Sequence, residues 1–333
     1  MNNLMPQVAK LQPMLPAAIP KRKSNVFSAT ELLKLSQTKL PCLWGEFLSS
    51  QGLAALTGSS DVGKTSFLRQ LSLAIVQKKS DFLGFPLNAK HGRVIYFATE
   101  DNPISTKISL TKGIDNNTSY KDLDGLIYIF NDENPLKSIE NELNIAKTDL
   151  VIIDAYGDIF DGQGNDITSV RGFLNKYHKL TLKHDTAILF LHHNGKRTEA
   201  IAPNKNSIIG SQGFEGKMRL VMDLRKLEGS DKRYLHFTKG NNLSEKVKSK
   251  AIELSFDDNQ QFHFIGNSSN INVTRKYDEE ETAKIMSIAK PLKEKGISYD
   301  KILVELEKEK LVRIPSKGKL SELLGDSKIV QSH

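Results

Sequence analysis

Residues 58–65 read Gly58-Ser59-Ser60-Asp61-Val62-Gly63-Lys64-Thr65. The order satisfies G-x-x-x-x-G-K-[ST]. Its glycines let a loop wrap closely around phosphate groups. The backbone N–H groups of the loop, and the N-terminus of the helix that follows, offer positive dipole ends to those phosphates. Lys64 has the reach for the β- and γ-phosphates of a nucleotide, and the Thr65 hydroxyl for a Mg²⁺ ion; Ser66 completes the nucleotide-binding candidates. The flanks agree with this reading. Residues 53–57 form an apolar run that predicts a buried strand. Residues 66–77 predict a helix, with Phe67, Leu68, Leu71, Ala74 and Ile75 on one face.

Outward from this loop, short apolar runs alternate with amphipathic stretches. Residues 93–98, 150–153 and 186–191 predict further buried strands, and 166–184 a helix. Strands alternating with helices imply an α/β core with a mostly parallel sheet. After residue 218 strand follows strand, at 220–224, 234–238, 251–256 and 261–265. That pattern predicts antiparallel additions to one edge. The expected organisation is a Pro-rich basic arm (1–25), a linker and short helix capped by Ser28 (26–50), the ATPase-type core (51–266), a linker (267–277) and a small all-α domain (278–333). Helices at 279–295, 299–310 and 316–324 suit a helix-turn-helix or truncated winged-helix unit.

Two strands end in carboxylates. Residues 150–153 are followed by Asp154, the position for an acid that holds the water shell of Mg²⁺. Residues 93–98 lead through Thr99 to Glu100 and Asp101. Strand ends of an open parallel sheet face the ligand crevice, so Glu100 is placed to orient an attacking water, with Asp101 as its neighbour. The strand at 186–191 runs into His192-His193-Asn194, where a polar side chain can sense a γ-phosphate. Adjacent histidines on a strand point to opposite faces, so only one meets the nucleotide easily and the two do not make a zinc pair.

Composition sets the outer limits. The chain has 333 residues, 38% hydrophobic and 26% charged, which excludes a wholly disordered chain. Its single cysteine, Cys42, excludes an internal disulfide framework and a cysteine-based zinc site. No apolar run approaches the ~18 residues of a membrane span, and no secretory pattern opens the chain, so the expected compartment is the cytoplasm. The net charge of +8 is weak evidence for a polyanionic partner, because residues 1–50 hold six Lys/Arg against two Glu while residues 278–333 hold eleven of each sign.

Four stretches together resemble a known family: GSSDVGKTS, GRVIYFATEDNP, LVIIDAYGDIF and ILFLHHNGKR. They are similar, in that order, to the RecA-like ATPases of the RepA type, hexameric replicative helicases of superfamily 4 related to DnaB. The resemblance spans residues 44–256. It implies a RecA-like core that uses ATP and Mg²⁺. Lys64 and Thr65 would hold phosphates and metal, Glu100 would activate water, and Asp154 would hold Mg²⁺. His193, rather than His192, would sense the γ-phosphate. It also implies an arginine entering the neighbouring subunit's site, matched by Arg219, with Lys239 as a second-choice contact. DnaB-like relatives carry Lys-x-Arg where this chain has Lys239-Gly240-Asn241. In RecA-like rings the loops at 156–168 and 195–213 would face the channel. The first is acidic (Asp158, Asp161, Asp166), and the second offers Lys196, Arg197 and Lys205 to DNA phosphates.

The leading expectation is therefore a hexameric ring motor on single-stranded DNA, a RepA-type helicase or helicase loader working with replication or mobilisation proteins of a plasmid or mobile element. The alternative is a slow, nucleotide-switched regulatory ATPase that binds DNA or a partner without unwinding. A small-metabolite kinase is disfavoured, since no lid with clustered arginines is visible.

Overall fold

The computed structural model describes residues 26–36, 38–114, 118–164, 166–194, 212–226, 231–269, 279–309, 314–315 and 317–325. The arm at 1–25 and the DNA candidates Lys196, Arg197 and Lys205 lie outside them. Two compact units divide the chain, residues 1–40 and 41–333. In the first, Ser28 caps α1 (Ala29–Leu33). Its hydroxyl accepts from the Glu31 N–H, and the Glu31 carboxylate accepts from the Ser28 N–H.

The second unit begins ten residues before the expected core. Strands β1 (Cys42–Trp44) and β2 (Leu48–Ser49) form a small antiparallel pair. Leu43, Trp44, Phe47 and Leu48 are buried in the main core. The Trp44 indole N–H donates to the Phe82 carbonyl at 2.8 Å, and its ring meets Phe47, Phe67, Phe82 and Phe85 edge-on. Residues 41–50 are therefore part of the core and not linker.

The chain continues through β3 (Gly52–Gly58), α2 (Lys64–Val76), the hairpin β4 (Asp81–Phe82) and β5 (Phe85–Pro86), β6 (Val94–Ala98), α3 (Pro103–Gly113), β7 (Leu126–Phe130) and α4 (Pro135–Ile145). Then come β8 (Leu150–Asp154), α5 (Tyr156–Ile159), α6 (Ile167–His184), β9 (Ala187–His193), α7 (Gln212–Lys217), β10 (Leu220–Lys226), β11 (Arg233–Gly240), α8 (Glu245–Lys248), β12 (Lys250–Phe256) and β13 (Phe262–Ser269). The last strand reaches three residues into the expected linker at 267–277.

Nine strands form one sheet in the order β13-β12-β11-β10-β3-β9-β8-β6-β7. From β10 to β7 every pairing is parallel; from β10 to β13 every pairing is antiparallel. This is the expected α/β core with antiparallel strands on one edge. Side chains on β3 alternate between faces. Ala54 and Leu56 join one apolar layer with Phe67, Leu68, Leu71, Ala74 and Ile75 of α2. Leu53 and Ala55 join the other with Val170, Leu174, Tyr177 and Leu180 of α6. A strand covered on both faces is apolar throughout, which is why the central strands stand out as unbroken hydrophobic runs.

Helices α9 (Glu279–Glu294), α10 (Tyr299–Lys308) and α11 (Lys317–Leu323) have a core of their own, made by Ile285, Ala289, Tyr299, Ile302, Leu306 and Leu320. Gly296, at φ +74°, ends the first of them in the left-handed conformation that glycine adopts without strain. No helix among the described residues is long and apolar enough to cross a membrane.

Candidate functional site

The loop between β3 and α2 needs its glycines. At Gly63, φ is +96° and an added Cβ would lie 2.9 Å from the Phe262 ring; at Gly58 it would lie 2.5 Å from the Leu224 carbonyl oxygen. Val62 is buried, and its carbonyl accepts from Arg233 Nε at 3.3 Å. The loop is thus fixed from behind by β10, β11 and β13. Ser59, Ser60 and Asp61 form its outer side. Lys64 is buried, and its ammonium donates to the carbonyls of Gly58 at 3.0 Å and Ser59 at 2.6 Å.

Thr65 lies in the first turn of α2 and faces the end of β8. Its hydroxyl donates to Asp154 Oδ2 at 3.0 Å, and the Tyr96 hydroxyl donates to the same oxygen at 2.7 Å. Burial raises the Asp154 pKa above the usual carboxylate value, and the two hydroxyl donors oppose that rise. Burial also drives the Tyr96 pKa well above its ordinary value, with the Asp154 charge adding to the effect, so the phenol stays a proton donor. One carboxylate beside one hydroxyl at a phosphate loop is the oxygen donor set that suits Mg²⁺ shared with a nucleotide. Among the described residues no cluster of three or more His, Cys, Asp or Glu could hold a metal alone.

β6 pairs with β8 so that Ala98 lies opposite Asp154, which brings the residues after Ala98 over the same crevice. The exposed Glu100 carboxylate lies 4.0 Å from His193 Nε2. His193 in turn has Nδ1 3.4 Å from the Lys64 ammonium. Lys64, His193 and Glu100 therefore form a line across the mouth of the sheet. Asp101 accepts from the Ser105 hydroxyl at 3.0 Å and steadies the start of α3. Thr65, Ser66, Arg69, Glu100, Asp101 and Asp154 line one cavity of about 270 Å³.

His192 points the other way. It is buried, stacked on Tyr156 at 5.1 Å and edge-on to Phe214 at 4.7 Å. Burial pushes its pKa down to about 4. The alternation along β9 thus sends His192 into the aromatic core and His193 to the crevice. Tyr156, expected at the start of a channel loop, is likewise buried, in the helical turn α5.

Arg219 and Lys239 sit at the opposite edge. The Arg219 N–H donates to the Leu53 carbonyl at 2.8 Å, five residues back along β3 from Gly58, or about 16 Å at strand rise. The Arg219 side chain is exposed. Lys239 is engaged within the chain, donating to the Glu215 carbonyl at 2.6 Å and lying 3.2 Å from its carboxylate. Neither reaches its own chain's phosphate loop.

Residues unmarked by any spacing also shape the site. Tyr96 and Arg69 lie inside apolar runs. Asn194 donates its backbone N–H to Gly58 O at 3.2 Å and its amide to Asp223 at 2.9 Å, and Asp223 pairs with Arg225 at 2.8 Å.

No curated protein matches the chain. Among solved structures, the ATPase domain of a DnaB-like helicase superposes with a TM-score of 0.51 at 11% identity, over 65% of this chain and 86% of that one, a likeness of fold. Residues 20–199 match the family model described as AAA domain (AAA_25). The chain belongs to this AAA domain family, and it is an ATP-hydrolysing P-loop enzyme with a RecA-like core.

Proposed function

We propose that the chain is a ring-forming, ATP-driven motor on single-stranded DNA, a RepA-type helicase or helicase loader of a plasmid or other mobile element. In this reading the N–H groups of residues 58–65 and the Lys64 ammonium hold the phosphates. Thr65 and Asp154 hold Mg²⁺, which neutralises phosphate charge when bound. Glu100 orients the attacking water and takes its proton, and His193 registers the γ-phosphate between Lys64 and Glu100.

One observation carries the proposal: the charged groups divide between two edges of one sheet. Lys64, Asp154, Glu100 and His193 gather at the carboxyl ends of the strands, while Arg219 is exposed at the other edge. Burial first, and then the charges of Lys217 and Arg219, hold the nearby His178 below its ordinary pKa, so that edge is locally positive. An arginine so placed can meet a triphosphate only on a second copy, which supports a ring whose sites lie between subunits.

The test is ATP turnover with and without single-stranded DNA, together with native mass under the same conditions. The proposal expects a ring in the presence of ATP and turnover stimulated by DNA. A strict monomer, or turnover indifferent to DNA with no binding at low salt, contradicts it. The second reading, a nucleotide-switched regulator, has support in Lys239 being tied to Glu215 and in Asn241 standing where an arginine completes the pair in DnaB-like relatives. That reading expects slow, DNA-independent turnover and partner binding that survives Lys64→Ala.

A further inference from the structure

The Asp154 carboxylate is held at one oxygen from two sides. Thr65 reaches Oδ2 from α2, and Tyr96 reaches it from β6. Tyr96 has no part in the proposed chemistry, yet its placement is tightly determined. It is 3% exposed. Its ring lies 5.1 Å from that of Tyr128, which stacks at 5.6 Å on Phe130, so three aromatic side chains form a ladder across β6 and β7. Tyr96 precedes Ala98 by two residues, on the same face of β6, and Ala98 is the register partner of Asp154. The phenol therefore extends along the strand direction to the carboxylate one strand away.

A ring locked in this way fixes the hydroxyl, and the hydroxyl fixes the carboxylate. With two donors on Oδ2, rotation about the Cβ–Cγ bond of Asp154 would break both hydrogen bonds. We infer that Tyr96 is a positioning residue for the Mg²⁺ site: it sets the rotation of the Asp154 carboxylate and leaves Oδ1 for the water shell of the metal. Outer partners of metal-binding carboxylates commonly govern metal affinity by roughly 10- to 100-fold. The inference rests on the Mg²⁺ role proposed above for Thr65 and Asp154.

The experiment compares wild type, Tyr96→Phe and Tyr128→Phe by the dissociation constant of a fluorescent N-methylanthraniloyl-ADP, in excess Mg²⁺ and in EDTA. Phenylalanine keeps the ring and its stacking, so the change removes one oxygen; circular dichroism and Tm check the fold. Wild type is expected to bind more tightly with Mg²⁺. Tyr96→Phe is expected to lose about tenfold of that Mg²⁺-dependent gain, with its EDTA value within about twofold of wild type. The Mg²⁺ concentration for half-maximal ATP turnover should rise by a similar factor. Tyr128→Phe, which removes a hydroxyl from the same ladder without touching Asp154, should behave as wild type. If Tyr96→Phe keeps the full Mg²⁺ gain, or weakens binding equally in both media, Tyr96 serves only packing and the inference falls. If wild type itself shows no Mg²⁺ gain, the role of Thr65 and Asp154 falls first and this inference with it.

Discussion

The two adjacent histidines of β9 give a paired prediction, because one strand sends them into different surroundings. His192 is 8% exposed and packed between Tyr156 and Phe214. Replacing it with alanine opens a void in the aromatic layer and should cost about 2–4 kcal/mol. For a protein of this size that lowers Tm by roughly 4–8 °C, at about 2 °C per kcal/mol. ATP turnover per folded molecule should stay within a few-fold of wild type. His193→Ala should do the reverse. Its side chain is 42% exposed, so stability should move by no more than about 0.5 kcal/mol. Turnover should fall about 100-fold, because the group between Lys64 and Glu100 is gone. The pH dependence adds a second check. The His192 pKa is lowered from 6.5 to about 4, so the folded state holds it neutral. Its contribution is complete above 6.5 and is lost as pH falls toward 4, an acid-side loss of about 3 kcal/mol that His192→Phe should remove. The assays are thermal denaturation from pH 4 to 8 and steady-state ATP hydrolysis. If His192→Ala is inactive at native stability, or His193→Ala is unstable yet fully active, the assignment of faces is wrong.

Two further outcomes follow from the loop and its metal acid. Asp154→Asn should abolish ATP turnover while leaving Tm at pH 8 equal to or above wild type. The buried carboxyl has a raised pKa, so its ionisation opposes folding increasingly as pH rises from 3.8 to that pKa; the Tm difference should shrink as pH falls toward 3.8. Gly63→Ala forces a side chain into φ +96° and against Phe262 at 2.9 Å. It should cost about 1–3 kcal/mol in chemical denaturation and weaken nucleotide binding as the loop shifts.

Much of the fold was legible where burial is two-sided. Strands β3, β6, β8 and β9 are apolar on both faces, and each shows as an unbroken run. Helix α3 was missed for the opposite reason. Only Thr106 is buried along it, while Ile104 and Ile108 are exposed, so there is no apolar stripe to find. Its start is set by the Asn102 cap and Pro103. Edge strand β7 is half-buried along its length and is preceded by a charged stretch. Trp44 and its neighbours act through strands of two and three residues, too short for any periodicity to register. In the site, Lys64, Thr65 and Asp154 are fixed by motif and strand position. The choice of His193 over His192 needed the partners on either side of the sheet. Tyr96 carries no signal at all, because an apolar strand with a tyrosine in it reads simply as core.

The central claim is that one copy completes another copy's ATP site through Arg219. The direct measurement is ATP turnover in mixtures of two inactive variants, Lys64→Ala and Arg219→Ala. Each alone should be nearly inactive. In a ring assembled at random from equal amounts, about one site in four joins an intact phosphate loop to an intact arginine. Turnover should then recover toward about a quarter of the wild-type rate. If the mixture is no more active than its components, although native mass shows that mixed rings have formed, Arg219 does not act between subunits.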